Sequence, residues 1–340
     1  MDVSVSPELQ GASLFPNKES AALKQKVYFS FRGAKVCPVS EPLTAGQLKK
    51  MTKELDIETR HVVWQDTLGG GLTNENFLML LEDGEHKGRE FVVRIPGLGT
   101  EALIDRAQEY QHLEIIKREG LDAETIYFDV ESGVKATAFV EGVTYHKQYI
   151  EKNLPEVAAC LRKLHGLSAS KAKPFNFRGM LEHYEKLVID TGAKFPESYG
   201  RIKLWVNSRL ESLDSKKPPS LCHNDLVPEN LIFGRDRRDR PEQLFLIDWE
   251  YSGINDPMFD LASCALEAEL NEEQVHQLLA NYFQRQPSSE EHQRLEHWQN
   301  AQDLLWSVWA LYKVQAGDAS LSDYGNRRYD RLQKTFHRLN

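Results

Sequence analysis

Residues 221–230 read LCHNDLVPEN, and a largely apolar run, LFLIDWEYSG, follows at 244–253. The first stretch has the form His-x-Asp-x-x-x-x-Asn, with His223, Asp225 and Asn230. The second places Asp248 at the end of a strand-like segment. Phosphoryl transfer needs such parts: one Asp orients the attacking hydroxyl and takes its proton, while an Asn and another Asp hold Mg²⁺ against the nucleotide phosphates. If Asn230 opens a strand that hairpins back to Asp248, both metal ligands fall at one end of that ribbon. Asp225 then lies across the loop from them, and His223 is expected to be structural, its imidazole bonded to backbone.

Upstream, the chain alternates in the manner of strands. HVVWQDTL, a glycine cluster, NFLMLLE, a polar turn and EFVVRIP predict three antiparallel strands. LIDRAQEYQHLEIIKREG follows with Leu103, Ala107, Tyr110, Leu113 and Ile116 at helical spacing, ended by Gly120. ETIYFDV and VKATAFVEG read as two more strands. A nucleotide-binding lobe requires a flexible loop over the phosphates, a strand-borne cation and a helix-borne carboxylate. Gly69–Asn76 (GGGLTNEN), Arg94 and Glu109 stand in that order.

Beyond Gly142 the pattern is helical, broken by the opening motif and by a short strand pair around RDRRDR (235–240), which reads as a solvated turn. The expected fold is α+β and bilobal. A leader (1–57) with one helix starting after the N-cap Thr44 precedes a small antiparallel β lobe (58–142) and a larger, mostly helical lobe (143–340). With 340 residues, 41% of them hydrophobic, the chain can bury a sizeable core. A net charge of −9 disfavours nucleic acid as a partner. The cysteines at 37, 160, 222 and 264 have no zinc spacing and read as reduced thiols. The N-terminus lacks a signal-peptide pattern and no run is long enough to span a bilayer, so a cytoplasmic protein is expected. Oligomeric state is not legible.

The pattern departs from protein kinases: the loop is not G-x-G-x-x-G, the strand cation is Arg, and Trp249-Glu250 follows Asp248. In order, GGLTNENF, VVRIPG, LIDRAQE, FVEG, LRKLHGL, HNDLVPENLIF, LIDWEYSGINDPMFDLA and LLWSVWA resemble the choline/ethanolamine kinase family, most closely its bacterial choline kinase branch. The match runs from about residue 60 to the C-terminus, and the fold it implies is the protein-kinase-like fold shared with aminoglycoside phosphotransferases. The resemblance implies Asp225 as catalytic base and Asn230 and Asp248 as Mg²⁺ ligands, assisted by Glu250. ATP would be held by Gly70, Gly71, Thr73, Asn74 and Asn76, by the Arg94–Glu109 pair, and by the backbone of Phe139, Val140 and Glu141 as the adenine hinge. Asp260 would organise the loop, and His165 would be structural.

The acceptor it implies is choline, a small molecule. A quaternary ammonium cannot donate a hydrogen bond, so aromatic faces and carboxylates must hold it. Trp306, Trp309 and Tyr312 form an aromatic stripe, and Trp306, Trp309 and Tyr324 match pocket residues of the family. By periodicity alone the stripe also suits simple packing. Glu267 and Glu269 are candidate sources of negative charge. Ethanolamine, thiamine and a catalytically silent nucleotide-binding fold remain as alternatives.

Overall fold

The computed structural model describes residues 41–68, 74–97, 104–168, 172–213 and 219–339. These fall into two compact units. One holds the described residues up to 175 together with 219–287, and the other holds 176–213 with 288–339. No described helix is long and apolar enough to cross a membrane.

The first unit opens with α1 (Ala45–Glu54), which Thr44 starts through a capping box with Gln47. A five-stranded antiparallel sheet follows, ordered β1 (Val62–Leu68), β2 (Asn74–Leu81), β3 (Glu90–Pro96), β5 (Lys135–Ala138) and β4 (Thr125–Phe128). Phe77, Met79 and Leu81 alternate inward along β2, as a half-buried strand requires. They meet Phe91, Val93 and Ala136 in a core that also takes Leu43 and, from α1, Leu48 and Met51. The separate leader therefore needs correction: residues from Leu43 onward are part of the β lobe's core, because α1 puts its apolar face on the sheet and Lys50 bonds Asp129 at 2.6 Å. The KVYFSF strand and the tip Gly69–Thr73 lie outside the described residues.

Helix α2 (Arg106–Arg118) is capped by Asp105. Its inward stripe is Glu109, His112, Leu113 and Ile116, whereas Ala107 and Tyr110 are exposed, so the helix is rotated from the apolar reading. The cause is electrostatic: the buried side faces charged groups, and Tyr110 packs outside against Phe128 at 5.6 Å.

At β6 (Glu141–Thr144) the chain leaves the large sheet and pairs with β8 (Leu231–Arg235), which hairpins to β9 (Gln243–Leu246). Gly142 and Gly234 face each other there. A Cβ on Gly142 would lie 2.2 Å from the Phe233 carbonyl oxygen, so this crossing is open only to glycine. Helices α3 (Lys147–Lys152) and α4 (Leu154–His165), a strand pair β7 (Ser220–Cys222) and β10 (Gly253–Asn255), α7 (Met258–Glu267) and α8 (Glu272–Phe283) complete the unit.

The second unit packs α5 (Phe177–Asp190), α6 (Tyr199–Glu211) and α10 (Ser322–Leu339) against the long α9 (Ser289–Gln315). Residues 300–311 of α9 are buried around the whole helix, so its amphipathic pattern vanishes there.

Candidate active site

The HNDLVPEN loop is held by one carboxylate. Asp260, fully buried on α7, accepts the backbone N–H groups of His223 and Asn224, both at 2.8 Å, and the His165 Nε2–H at 3.0 Å. Burial works against its ionised form, but the His165 bond, the charge attraction and the backbone donors outweigh it and hold the carboxyl below its ordinary value. His165, Cys222 and Asp260 place donor atoms within 4.8 Å of one another. Both His165 nitrogens and Asp260 Oδ2 are already spent on hydrogen bonds, which makes this a structural knot.

His223 lies as expected, its Nε2–H donating to the Ile247 carbonyl at 2.8 Å, and burial favours its neutral form. Asn224 adopts a left-handed backbone (φ 63°), a conformation Asn tolerates, and its side chain donates to the Tyr251 carbonyl at 3.0 Å. The HNDLVPEN loop is thus stitched to the segment around Asp248. Asp248 is also left-handed (φ 65°), turning the chain sharply off the strand.

Asn230 and Asp248 lie at one end of the β8–β9 ribbon, since the Ile247 N–H bonds the Asn230 carbonyl at 2.9 Å. The Asn230 amide donates to the Asp225 carbonyl at 2.9 Å, which leaves Asn230 Oδ1 as the acceptor on that side chain. Asp248 Oδ1 is shielded from solvent with no hydrogen-bond donor, and Arg94 stands 3.8 Å away. Burial first, and the Glu250 carboxylate second, push its carboxyl up to about 6. A buried carboxylate oxygen without a donor, beside an amide oxygen at the same ribbon end, is a donor set suited to a hard divalent cation.

Arg94 and Glu109 are brought together. Arg94 makes a two-pronged pair with Glu109, at 2.6 and 3.1 Å, and bonds the Gly133 carbonyl at 3.0 Å. Glu109 is buried; desolvation opposes its charge, but Arg94 foremost, then Lys135 and Arg106, hold it down at about 2. Glu250, expected to assist the metal, is tied to Arg106 at 2.5 Å and faces Arg94 at 3.2 Å, both through Oε1.

Sequence reading missed Arg106, Lys135 and His112. Lys135 is directly opposite Arg94 in the β3–β5 register and approaches Glu109 at 3.6 Å, a proximity that only strand pairing reveals. His112 on α2 pairs with the Ser252 hydroxyl at 2.9 Å, and that hydroxyl donates to the Trp249 carbonyl at 2.7 Å. Helix α2 therefore grips the Asp248 segment twice, through Arg106–Glu250 and through His112–Ser252.

Of the expected nucleotide residues, Gly70, Gly71 and Thr73 lie outside the described residues. Asn74 is buried with neither side-chain amide atom hydrogen-bonded, and Asn76 is half-buried on the same strand. At the hinge, the Phe139 N–H is already spent on the Glu90 carbonyl at 3.0 Å, and Glu141 is committed to the β6–β8 ladder. Val140 packs with Ala123, Ile232 and Phe245 in an apolar cluster. Glu267 is half-buried, whereas Glu269 is exposed and pairs with Lys147 at 2.5 Å.

In the second unit, Trp306 and Trp309 are buried and meet edge to face, with centroids 6.0 Å apart at 87°. Tyr324 continues the series, 6.2 Å from Trp309 at 86°. Tyr312 is not part of this ring series: six residues after Trp306 it is turned about 120° around α9 and is half-buried.

The profile of the choline/ethanolamine kinase family matches residues 66–295. Protein LicA of Haemophilus influenzae is 33% identical over 281 residues, covering 79% of this chain and 79% of that protein. The crystal structure of choline kinase LicA from Streptococcus pneumoniae superposes with a TM-score of 0.66 at 30% identity, covering 84% of this chain and 95% of that one. A LicA structure in complex with AMP gives 0.68 at 29% identity, covering 85% and 96%. The fold is protein-kinase-like, and the enzyme is a phosphotransferase that acts on an alcohol. The chain belongs to the choline/ethanolamine kinase family.

Proposed function

We propose that this protein transfers the γ-phosphoryl group of ATP to the hydroxyl of choline, giving phosphocholine. The observation that carries the reading is the ribbon end where Asn230 and Asp248 stand together, tied by hydrogen bonds to the loop of Asp225. Asp225 orients the choline hydroxyl and accepts its proton as the oxygen attacks. Arg94, fixed by Glu109 and backed by Lys135 and Arg106, meets the phosphate charge in a site already organised for it. Magnesium held by Asn230 Oδ1 and Asp248 would neutralise the charge that builds on the phosphates. Asn74, a buried amide without a partner, suits a phosphate contact, and Val140 suits the adenine edge. Choline is favoured over ethanolamine because Trp306, Trp309 and Tyr324 supply faces for a group that offers no hydrogen bond. Cysteines 160, 222 and 264 are buried free thiols, which suits the cytoplasm, where ATP is available.

The test is ADP release from ATP and Mg²⁺ with choline, ethanolamine, thiamine or kanamycin, each against a blank without acceptor. Choline should stimulate well above ethanolamine. A preference for another alcohol would leave the Asp225 chemistry standing and remove the aromatic site. Nucleotide binding with no stimulation by any acceptor would favour a silent fold.

A further inference from the structure

We infer that Lys135 is a phosphate-binding residue, whose ammonium donates hydrogen bonds to the phosphate groups of the nucleotide. The inference rests on the nucleotide part of the reading above and not on the choice of acceptor. In the β2–β3–β5 ladder Asn76 is opposite Arg94 and Arg94 is opposite Lys135, so the three side chains form one row on one face of the sheet. Asn74 and Thr137, each two residues along its strand from that row, share the face. The other face carries Met79, Val93 and Ala136 into the apolar core. Both Asn74 amide atoms, Arg94 Nε and Thr137 Oγ1 are shielded from solvent without a partner among the described residues. Polar groups in that state are disfavoured until something completes them.

Two cations stand in the row, and they differ in how far their donors are engaged. Arg94 Nη1 bonds Glu109 at 2.6 Å and faces Glu250 at 3.2 Å, while Nη2 bonds Glu109 at 3.1 Å and the Gly133 carbonyl at 3.0 Å. Its charge acts on the site, but its forked donors lock α2 to the sheet. Lys135 is 5% exposed, and its ion pair with Glu109 Oε1, at 3.6 Å, is longer than a hydrogen bond. Among the described residues the ammonium makes no hydrogen bond, so its three donors are unengaged. Glu109 is already occupied, Oε1 by Arg94 and Oε2 by Arg94 and Arg106. Burial pushes the Asp122 carboxyl up to about 7, and Lys135 is the foremost charge opposing that rise. At Asp248, raised by burial and by Glu250, Arg94 and then Lys135 pull the other way. The Lys135 charge therefore acts at the ribbon end where the phosphates and their metal are expected. Burying an ammonium without hydrogen bonds carries a desolvation cost that an apolar side chain would not, and a phosphate oxygen offsets it when nucleotide binds.

The test is equilibrium binding of ADP and of adenosine, without Mg²⁺, to the full-length wild type and to Lys135→Met, a substitution that keeps side-chain length and removes the charge. ADP should bind roughly ten- to a hundredfold more weakly, whereas adenosine, which has the base but no phosphate, should change by less than about twofold. In turnover the ATP KM should rise while the KM of the acceptor stays constant. Equal weakening of ADP and adenosine would make Lys135 a brace for Glu109, and unchanged ADP binding would put the phosphates out of its reach; either result overturns the inference. If Lys135→Met fails to fold, Lys135→Gln, which keeps a polar end without the charge, should weaken ADP about threefold or more relative to adenosine. An unaltered ratio of the two affinities in that variant overturns the inference as well. A wild type that binds ADP but ignores choline removes the acceptor reading and leaves Lys135 in its place.

Discussion

In the proposed mechanism Asp225, a half-buried carboxylate, accepts the proton of the attacking hydroxyl. Asp225→Asn should therefore lower kcat by about 10²–10⁴ with nucleotide binding kept, as measured by ADP release beside equilibrium binding of ATP. Undiminished turnover would remove Asp225 from the mechanism. Glu109 allows a pH prediction of definite sign. Its folded value is about 2 against an ordinary 4.5. A depressed carboxyl contributes stability above its unfolded value and loses it as pH falls through the folded value. Urea titrations between pH 5 and 2 should show the wild type losing its advantage over Glu109→Gln as acid is added. At neutral pH that advantage should be about 3–5 kcal/mol, since the variant removes the carboxylate in two-pronged contact with buried Arg94 and leaves that cation Glu250 and Asp248, at 3.2 and 3.8 Å. An advantage independent of pH would show that the Glu109 charge is not the stabilising feature. The placement of Asn230 and Asp248 at one ribbon end and the pairing of Arg94 with Glu109 were legible from motif order. Lys135 was not, because its place beside Glu109 comes from strand register.

Elements carry these residues to their places, and helix α2 does so with two contacts on the Asp248 segment. His112→Ala removes one of them while leaving Arg94–Glu109 intact. Amide exchange at residues 248–252 should then quicken, with a weaker effect on the rest of β9. Unaltered exchange would mean that Arg106–Glu250 alone holds the segment. The α2 stripe was misread from sequence because apolar periodicity assumes an apolar neighbour, whereas this helix faces the buried Arg94 and Lys135. Helix α1 shows the converse. Its cap and apolar face were legible, but only packing showed that Leu48 and Met51 complete the β core. Met51, fully buried, makes a direct test. Met51→Ala should cost about 2–5 kcal/mol in chemical denaturation. A loss under about 0.5 kcal/mol, the range of ordinary surface substitutions, would place α1 outside the cooperative core.

Across the whole molecule, the two compact units hold different expected duties: nucleotide and metal residues in one, aromatic rings in the other. Amide exchange under ligand should separate them. AMP is expected to protect β2, β3 and the 223–230 loop, and choline to protect α9 and α10. Choline protection confined to the first unit would remove Trp306, Trp309 and Tyr324 from substrate binding. The unit boundaries were not legible, since helices read as one continuous lobe divide by contacts that link 176–213 with 288–339. By itself the sequence determined the family and the α+β, protein-kinase-like class, and it supplied the candidates for phosphoryl transfer, because local spacing and strand or helix periodicity encode them directly. Tertiary structure alone decided which charges meet: Lys135 opposite Arg94, Glu250 on Arg106, Arg328 beneath Tyr324 and on Asp303. Those pairings depend on register and helix rotation, and both are fixed by burial and charge across segments far apart in the chain.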